Sequence, residues 1–143
     1  MAIRPFRDQD RAEVLTLVGD PRTIDSPGHH LHVAEDEGAI VGAVVWLQPD
    51  AGDEAYLGSV TVNVPDRWDL FYSLVRQTAL DAQQRGFTKA VFTVHDPRLL
   101  RRLERDFIID PQPSGWNPVT HEPVQWRVAV DLADALRQLE RVI

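Results

Sequence analysis

The chain contains no cysteine. Disulfides, thiolate metal sites and cysteine nucleophiles are therefore excluded. Long apolar runs are missing too, and the longest ones fall far short of the roughly 20 residues that a membrane-spanning helix needs. The opening "MAIRPFRDQD" carries charge from Arg4 onward, which is not the pattern of a signal peptide. Positive charge is in short supply. Fifteen Lys and Arg face 22 Asp and Glu, for a net charge of −7 and a pI near 5.1. That balance argues against broad electrostatic binding to nucleic acid or to an anionic membrane. Glycine is sparse, and none lies between Gly58 and Gly86. What remains is an ordinary globular composition, 43% hydrophobic and 26% charged, in 143 residues. This suits one domain, residues 1–143, large enough to bury a real core, with a cytoplasmic location as the default expectation.

Periodicity and punctuation divide the chain into alternating elements. "AIRPF" reads as a short strand, and Asp8 is placed to cap a helix whose Val14, Leu15 and Val18 share a face. Residues 19–30, with two prolines and two glycines, read as a loop with room for one helical turn. "LHVAEDEGAIVGAVVWL" is a hairpin turning at Asp36–Gly38, and "AYLGSVTVNV" is a third long strand. A helix from Asp66 to about Arg85 follows, burying Leu70, Phe71, Leu74, Val75 and Thr78 or Ala79, and Gly86 ends it. "TKAVFTV" reads as a strand covered on both faces, and "DPRLLRRLERDF" as a helix with Asp96 at the cap and Pro97 at its first position. A proline-rich stretch with room for a short strand leads to the strand "VQWRVAV". The final amphipathic helix stripes Leu132, Leu136, Leu139 and Ile143, to pack on its own sheet or to form a dimer contact. The fold class is α+β, with a mixed and mostly antiparallel sheet flanked by helices.

The turn "VNVPDRWDLFYSL" poses a sharper question. A strand running into a helix start is a ready-made phosphate site, because the first N–H groups of the helix are bare. Here Asp66 and Asp69 stand where an anion would sit, and no glycine lets the backbone approach one. A carboxylate about 5 Å from a phosphate charge costs on the order of 3 kcal/mol at an effective dielectric of about 20. The local alternative is that Asp66 caps the helix and Asp69 answers its dipole, so that the chain supplies its own anion.

In that order and spacing, "IRPFRDQDRAEVLTLV", "HVAEDEGAIVGAVVW", "VTVNVP", "RGFTKAVFTV" and "RRLERDF" together resemble the GNAT superfamily of N-acetyltransferases over nearly the whole chain. The resemblance implies a GNAT-like fold whose fourth and fifth strands splay to admit acetyl-CoA, and transfer of its acyl group to an amine. It implies that cofactor-binding positions fall on Val62, Asn63, Val64, Arg67, Trp68, Asp69, Leu70 and Phe71. Asp66, Asp69 and Phe71 depart from the family's glutamine-and-glycine loop. Arg102 stands where many members carry a tyrosine acid, and an arginine cannot donate a proton at neutral pH. Glu54, Tyr56 and His95 are the candidates left for proton transfer. The acceptor is expected to be a small-molecule or protein amine, and the protein a monomer or a homodimer.

Other constellations carry less. His29, His30 and His32 lie close together, but no carboxylate or further histidine stands at a diagnostic metal spacing, so no metal site is assigned. They fall where the fold would place its acceptor loop. Arg98, Arg101, Arg102 and Arg105 cluster on one helix, interleaved with Glu104 and Asp106. Trp46 and Trp126 lie in strands and belong to the core, whereas Trp68 and Trp116 lie in loops where they can line a cleft. Two functions therefore stand side by side. One is an acyl-CoA-dependent N-acyltransferase with a non-standard CoA loop. The other is a catalytically silent GNAT-fold protein whose cleft is closed or reused for a small ligand or a protein partner.

Overall fold

In the computed structural model, which describes Met1–Ile143, the elements run β1 (Ala2–Pro5), α1 (Arg11–Val18), α2 (Arg22–Asp25), β2 (His29–Asp36), β3 (Ala39–Leu47), β4 (Glu54–Val62), α3 (Trp68–Gln84), β5 (Lys89–Val94), α4 (Pro97–Asp106), β6 (Gln112–Trp116), β7 (Pro123–Asp131) and α5 (Leu132–Val142). The strands form one seven-stranded sheet in the order β1-β2-β3-β4-β5-β7-β6. Every neighbouring pair is antiparallel except β4 and β5. The β2–β3 hairpin closes through Glu37 and Gly38, both at positive φ (51° and 82°). Such a turn carries the twist of the strands it joins. No helix is long and apolar enough to cross a membrane.

Several helix ends follow the local signals. Asp96 accepts a hydrogen bond from the Arg98 N–H at 2.9 Å with Pro97 next in line, and Gly86, at φ 93°, ends the turn after α3. Asp8 does not. It lies in a short 3-10 turn, Asp8–Asp10, ahead of α1, and the start of α1 has no side-chain cap. Asp10 turns inward instead, where Arg4 donates to both its oxygens at 2.7 and 2.9 Å and the Arg7 N–H donates at 2.8 Å. A half-buried guanidinium needs a partner more than a helix start needs a cap, and the charge-assisted pair prevails.

The core has two layers. On one face of the sheet Val14 of α1 packs on Val33 and Ala43. On the other, α3 lays Leu70 and Leu74 on Ala34 and Val44, and its Ala79 and Ala82 meet Trp46, Phe87 and Leu132. Beside it α5 buries Leu132 and Leu139 against α3 and β7, so the last helix packs on its own fold. On the opposite face of β5 and β7, Thr93, Arg127 and Ala129 are exposed. The expectation that β5 is covered on both faces holds only in part: Ala90, Phe92 and Val94 serve the helix side, and on the other face Val91 is buried at 4% exposure while Thr93 is exposed.

One irregularity positions everything that follows. Against β3, Trp46 pairs with Leu57 but Val45 pairs with Ser59, leaving Gly58 as an extra residue in β4. This is a β-bulge, which bends and twists the strand that carries it. A Cβ added at Gly58 would lie 2.9 Å from Val45 Cγ1 and 3.3 Å from the Val45 carbonyl oxygen. Gly58→Ala should therefore lower stability by about 1–3 kcal/mol, the usual cost of overpacking. An unshifted denaturation midpoint would show that the bulge has slack.

Candidate functional site

The strands β4 and β5 pair over only three residues each, Glu54–Lys89, Ala55–Ala90 and Tyr56–Val91. Beyond Tyr56 they part. Each stays fully held on its other side, β4 by β3 as far as Val62 and β5 by β7 as far as Val94. The facing edges from Leu57 and Phe92 onward consequently have no strand partner, and backbone groups left so need water or a ligand. Behind the gap lies a partly open cavity of about 300 Å³, lined by the parting strands and by α3, α4 and α5. Twenty of its 25 lining residues are hydrophobic, and none carries a charge.

The start of α3 stands at the open end of the gap. Its geometry corrects the capping expectation. Asp66 sits at φ 67°, a left-handed conformation, and Arg67 occupies the cap position without a side-chain cap bond. A residue cannot cap from the left-handed region, since the capping geometry needs extended backbone. The first helical N–H to find a carbonyl is that of Phe71, on Arg67 at 2.9 Å. No side chain accepts from the N–H groups of Trp68, Asp69 or Leu70. The Asp69 side chain is 75% exposed, with its carboxylate 3.9 Å from Arg67. Asp69 does lie in the first turn, as expected for a residue answering the dipole, but its carboxylate bonds none of the first N–H groups, and those of Trp68 and Asp69 are left without a side-chain acceptor.

A polar strut inside an aromatic cluster joins α3 to α4. Tyr72, only 3% exposed, donates to Asp106 at 2.6 Å. Arg102 donates to the same carboxylate at 3.0 Å and lies over the Trp68 ring, 4.7 Å from its centroid, while Arg105 donates at 3.1 Å. Phe71 and Phe107 pack edge-on against Tyr72. Burial first, and then the bond to Asp106, push the Tyr72 hydroxyl up to about 12. Burial pulls the Asp106 carboxyl upward, yet hydrogen bonds from Tyr72, Arg105 and Arg102 hold it below 3.8. Arg102 is thus a member of the strut. Sequence reasoning passed over Tyr72, although Trp68, Tyr72, Val75, Ala79 and Ala82 form a stripe at helical spacing that could have revealed it.

The three proton-transfer candidates are not brought together. Tyr56 stands at the last paired position, at the apex of the gap, and is 40% exposed. His95 directly follows β5 at the open end, exposed. Glu54 lies beyond the apex, with its carboxylate 3.9 Å from Arg127. At about 3.3 Å per strand residue, its row is roughly 20 Å from His95. Of the backbone positions, Val62 ends β4 and Val64 is exposed. The Asn63 N–H is taken by the Val41 carbonyl at 2.9 Å, so the free edge begins further back, at Leu57.

The histidines do meet, but elsewhere. His29, His30 and His32 line a polar cleft of about 320 Å³ with Asp81 and Arg85, at the end of α3 remote from Trp68. His30 stacks on Trp46 and lies 2.7 Å from Gln48 Oε1. His32 is 7% exposed, and burial holds its imidazole below the usual 6.5. No three His, Asp or Glu side chains converge in a way that would hold a metal ion. Of the tryptophans, Trp46 is buried, Trp126 half-buried and Trp116 exposed on β6.

No protein-family model matches the chain, and no curated protein matches it in sequence. Solved structures do match. The chain superposes on a GNAT-family protein from Desulfovibrio desulfuricans with a TM-score of 0.72 at 14% identity, over 92% of this chain and 98% of that one. For the ribosomal-protein-S18-alanine N-acetyltransferase from Escherichia coli the TM-score is 0.71 at 12% identity, over 92% and 93%. For the aminoglycoside 6'-N-acetyltransferase from Enterococcus faecium it is 0.67 at 12% identity, over 92% and 97%. The protein therefore has the GNAT acetyltransferase fold, an α+β architecture with a mixed seven-stranded sheet.

If the strut fixes α3 against α4, removing one donor to a charged acceptor should cost about 1.5–3 kcal/mol. Tyr72→Phe is the variant, and its denaturation midpoint should fall accordingly. In an alkaline titration followed by phenolate absorbance, the phase near pH 12 should vanish in the variant. A variant as stable as the parent, with that phase retained, would show that Tyr72 is not so held.

Proposed function

We propose that the protein transfers an acyl group from an acyl-CoA thioester to an amine. The observation that carries this reading is the gap between β4 and β5: two strands held rigidly on their outer sides, with free backbone edges facing each other above an apolar cavity. Acyl-CoA fits these residues. The uncapped N–H groups of Trp68 and Asp69, together with Arg67, would take its pyrophosphate, since a helix start offers both donors and a favourable dipole. The free β4 edge from Leu57 would hold the pantetheine arm and the thioester carbonyl. Asp69 opposes this charge least where it stands, exposed and beside Arg67.

The chemistry is then largely positioning. The neutral amine nitrogen attacks the thioester carbonyl carbon, a C–N bond forms and the C–S bond breaks. The nitrogen gives up a proton, and the departing sulfur takes one up. Tyr56 and His95 border the gap and are assigned to relay these protons through water. Glu54, whose backbone lies beyond the apex and whose carboxylate is 3.9 Å from Arg127, is assigned no part in the relay. The acceptor, a small-molecule or protein amine, would approach over the open face that presents Tyr56, Thr93 and Arg127.

Asp66, Asp69 and Arg102 favour a second reading, a catalytically silent protein whose cleft is closed to CoA or reused for another small ligand or a protein partner. Calorimetric titration with CoA and acetyl-CoA distinguishes them. The acyltransferase reading expects a dissociation constant below about 100 μM, near −5.5 kcal/mol. Absence of heat with either compound at millimolar concentration would overturn it.

A further inference from the structure

We infer that the group carried into the cavity is an aliphatic acyl chain of medium length rather than acetyl, an inference that rests on the acyl-CoA reading above. The cavity, at about 300 Å³, is twice the size of an apolar void of about 150 Å³ that holds a benzene molecule. A two-carbon group would cover little of its apolar lining, whereas a longer hydrocarbon would take that surface out of water. The space arises from sequence: Ala90 of β5 and Ala135 of α5, both only partly buried, line it where larger side chains would fill it.

The interior also offers almost nothing to a polar ligand. Thr78 Oγ1 donates to the Leu74 carbonyl, and Gln138 is bound to Asp134 and to the backbone of Ile108. The Trp46 indole donates to Asp81 at 2.7 Å and the Tyr72 hydroxyl to Asp106. The remaining hydroxyls, Ser59 and Thr93, are exposed on the two parting strands. A pantetheine arm, with two amides to satisfy, belongs along the strand edges, because burying an unpaired amide is costly. Only a hydrocarbon suits the space behind them. A chain passing between Ser59 and Thr93 would leave its thioester carbon at the gap and its methylenes among Val75, Phe92, Leu103 and Leu139.

The test is a calorimetric comparison of acetyl-CoA, octanoyl-CoA and octanoate on the parent protein and on Ala135→Leu, with Ala90→Leu as the second variant should the first fail to fold. Octanoyl-CoA is expected to bind at least about tenfold tighter than acetyl-CoA, a gain that burial of two methylenes would supply. The leucine variant should lose that gain and keep its acetyl-CoA affinity. Equal affinities for the two thioesters, or a gain that survives the variant, would overturn the inference and leave the acyltransferase reading standing. Binding of neither thioester, with or without binding of octanoate, would overturn both.

Discussion

The structure turns on the parting of two parallel strands. Parallel pairing normally runs the length of both partners, since each unpaired backbone group forgoes a hydrogen bond. Here pairing stops after three residues, and the fold tolerates this because neither strand depends on the other. The neighbour β3 holds β4 throughout, with Gly58 inserted to bend it, and β7 holds β5 throughout. The gap is therefore built into two well-supported half-sheets. The helices α3, α4 and α5 then bridge the halves and line the space behind.

The aromatic and charged cluster between α3 and α4 sets the geometry of the open end. Asp106 gathers Tyr72, Arg102 and Arg105, and Arg102 in turn lies on Trp68, the first residue of α3. Trp68 and Asp69 are the residues at the helix start whose N–H groups find no side-chain acceptor. A half-buried charge with three donors is costly to disturb, so this arrangement holds the helix start in one place.

How much of this could be seen in the sequence depended on the range of the interactions. The Asp96–Pro97 cap, the turn at Glu37–Gly38 and the stop at Gly86 are local, and each was legible. Asp66 was misread because a side chain's ability to cap depends on its own φ, which composition does not reveal. Asp8 was misread because the carboxylate that mattered, Asp10, answers Arg4 in a different element. The fold emerged from element order, whereas the gap depends on the register of β4 against two strands far away in the chain. Its one local sign was a lone glycine, Gly58, inside an otherwise regular strand pattern, a mark of a bulge. The cavity had a sign too, in the alanines, but only the fold shows that they face each other.

The central claim is that the gap and the α3 start form one ligand site. Backbone amide chemical-shift mapping with CoA tests it most directly. The amides of Leu57–Val62, Trp68–Phe71 and Phe92–His95 should shift together and saturate at one ligand concentration. Shifts confined to the histidine cleft around His30 and His32, or scattered over the surface without saturation, would contradict the claim.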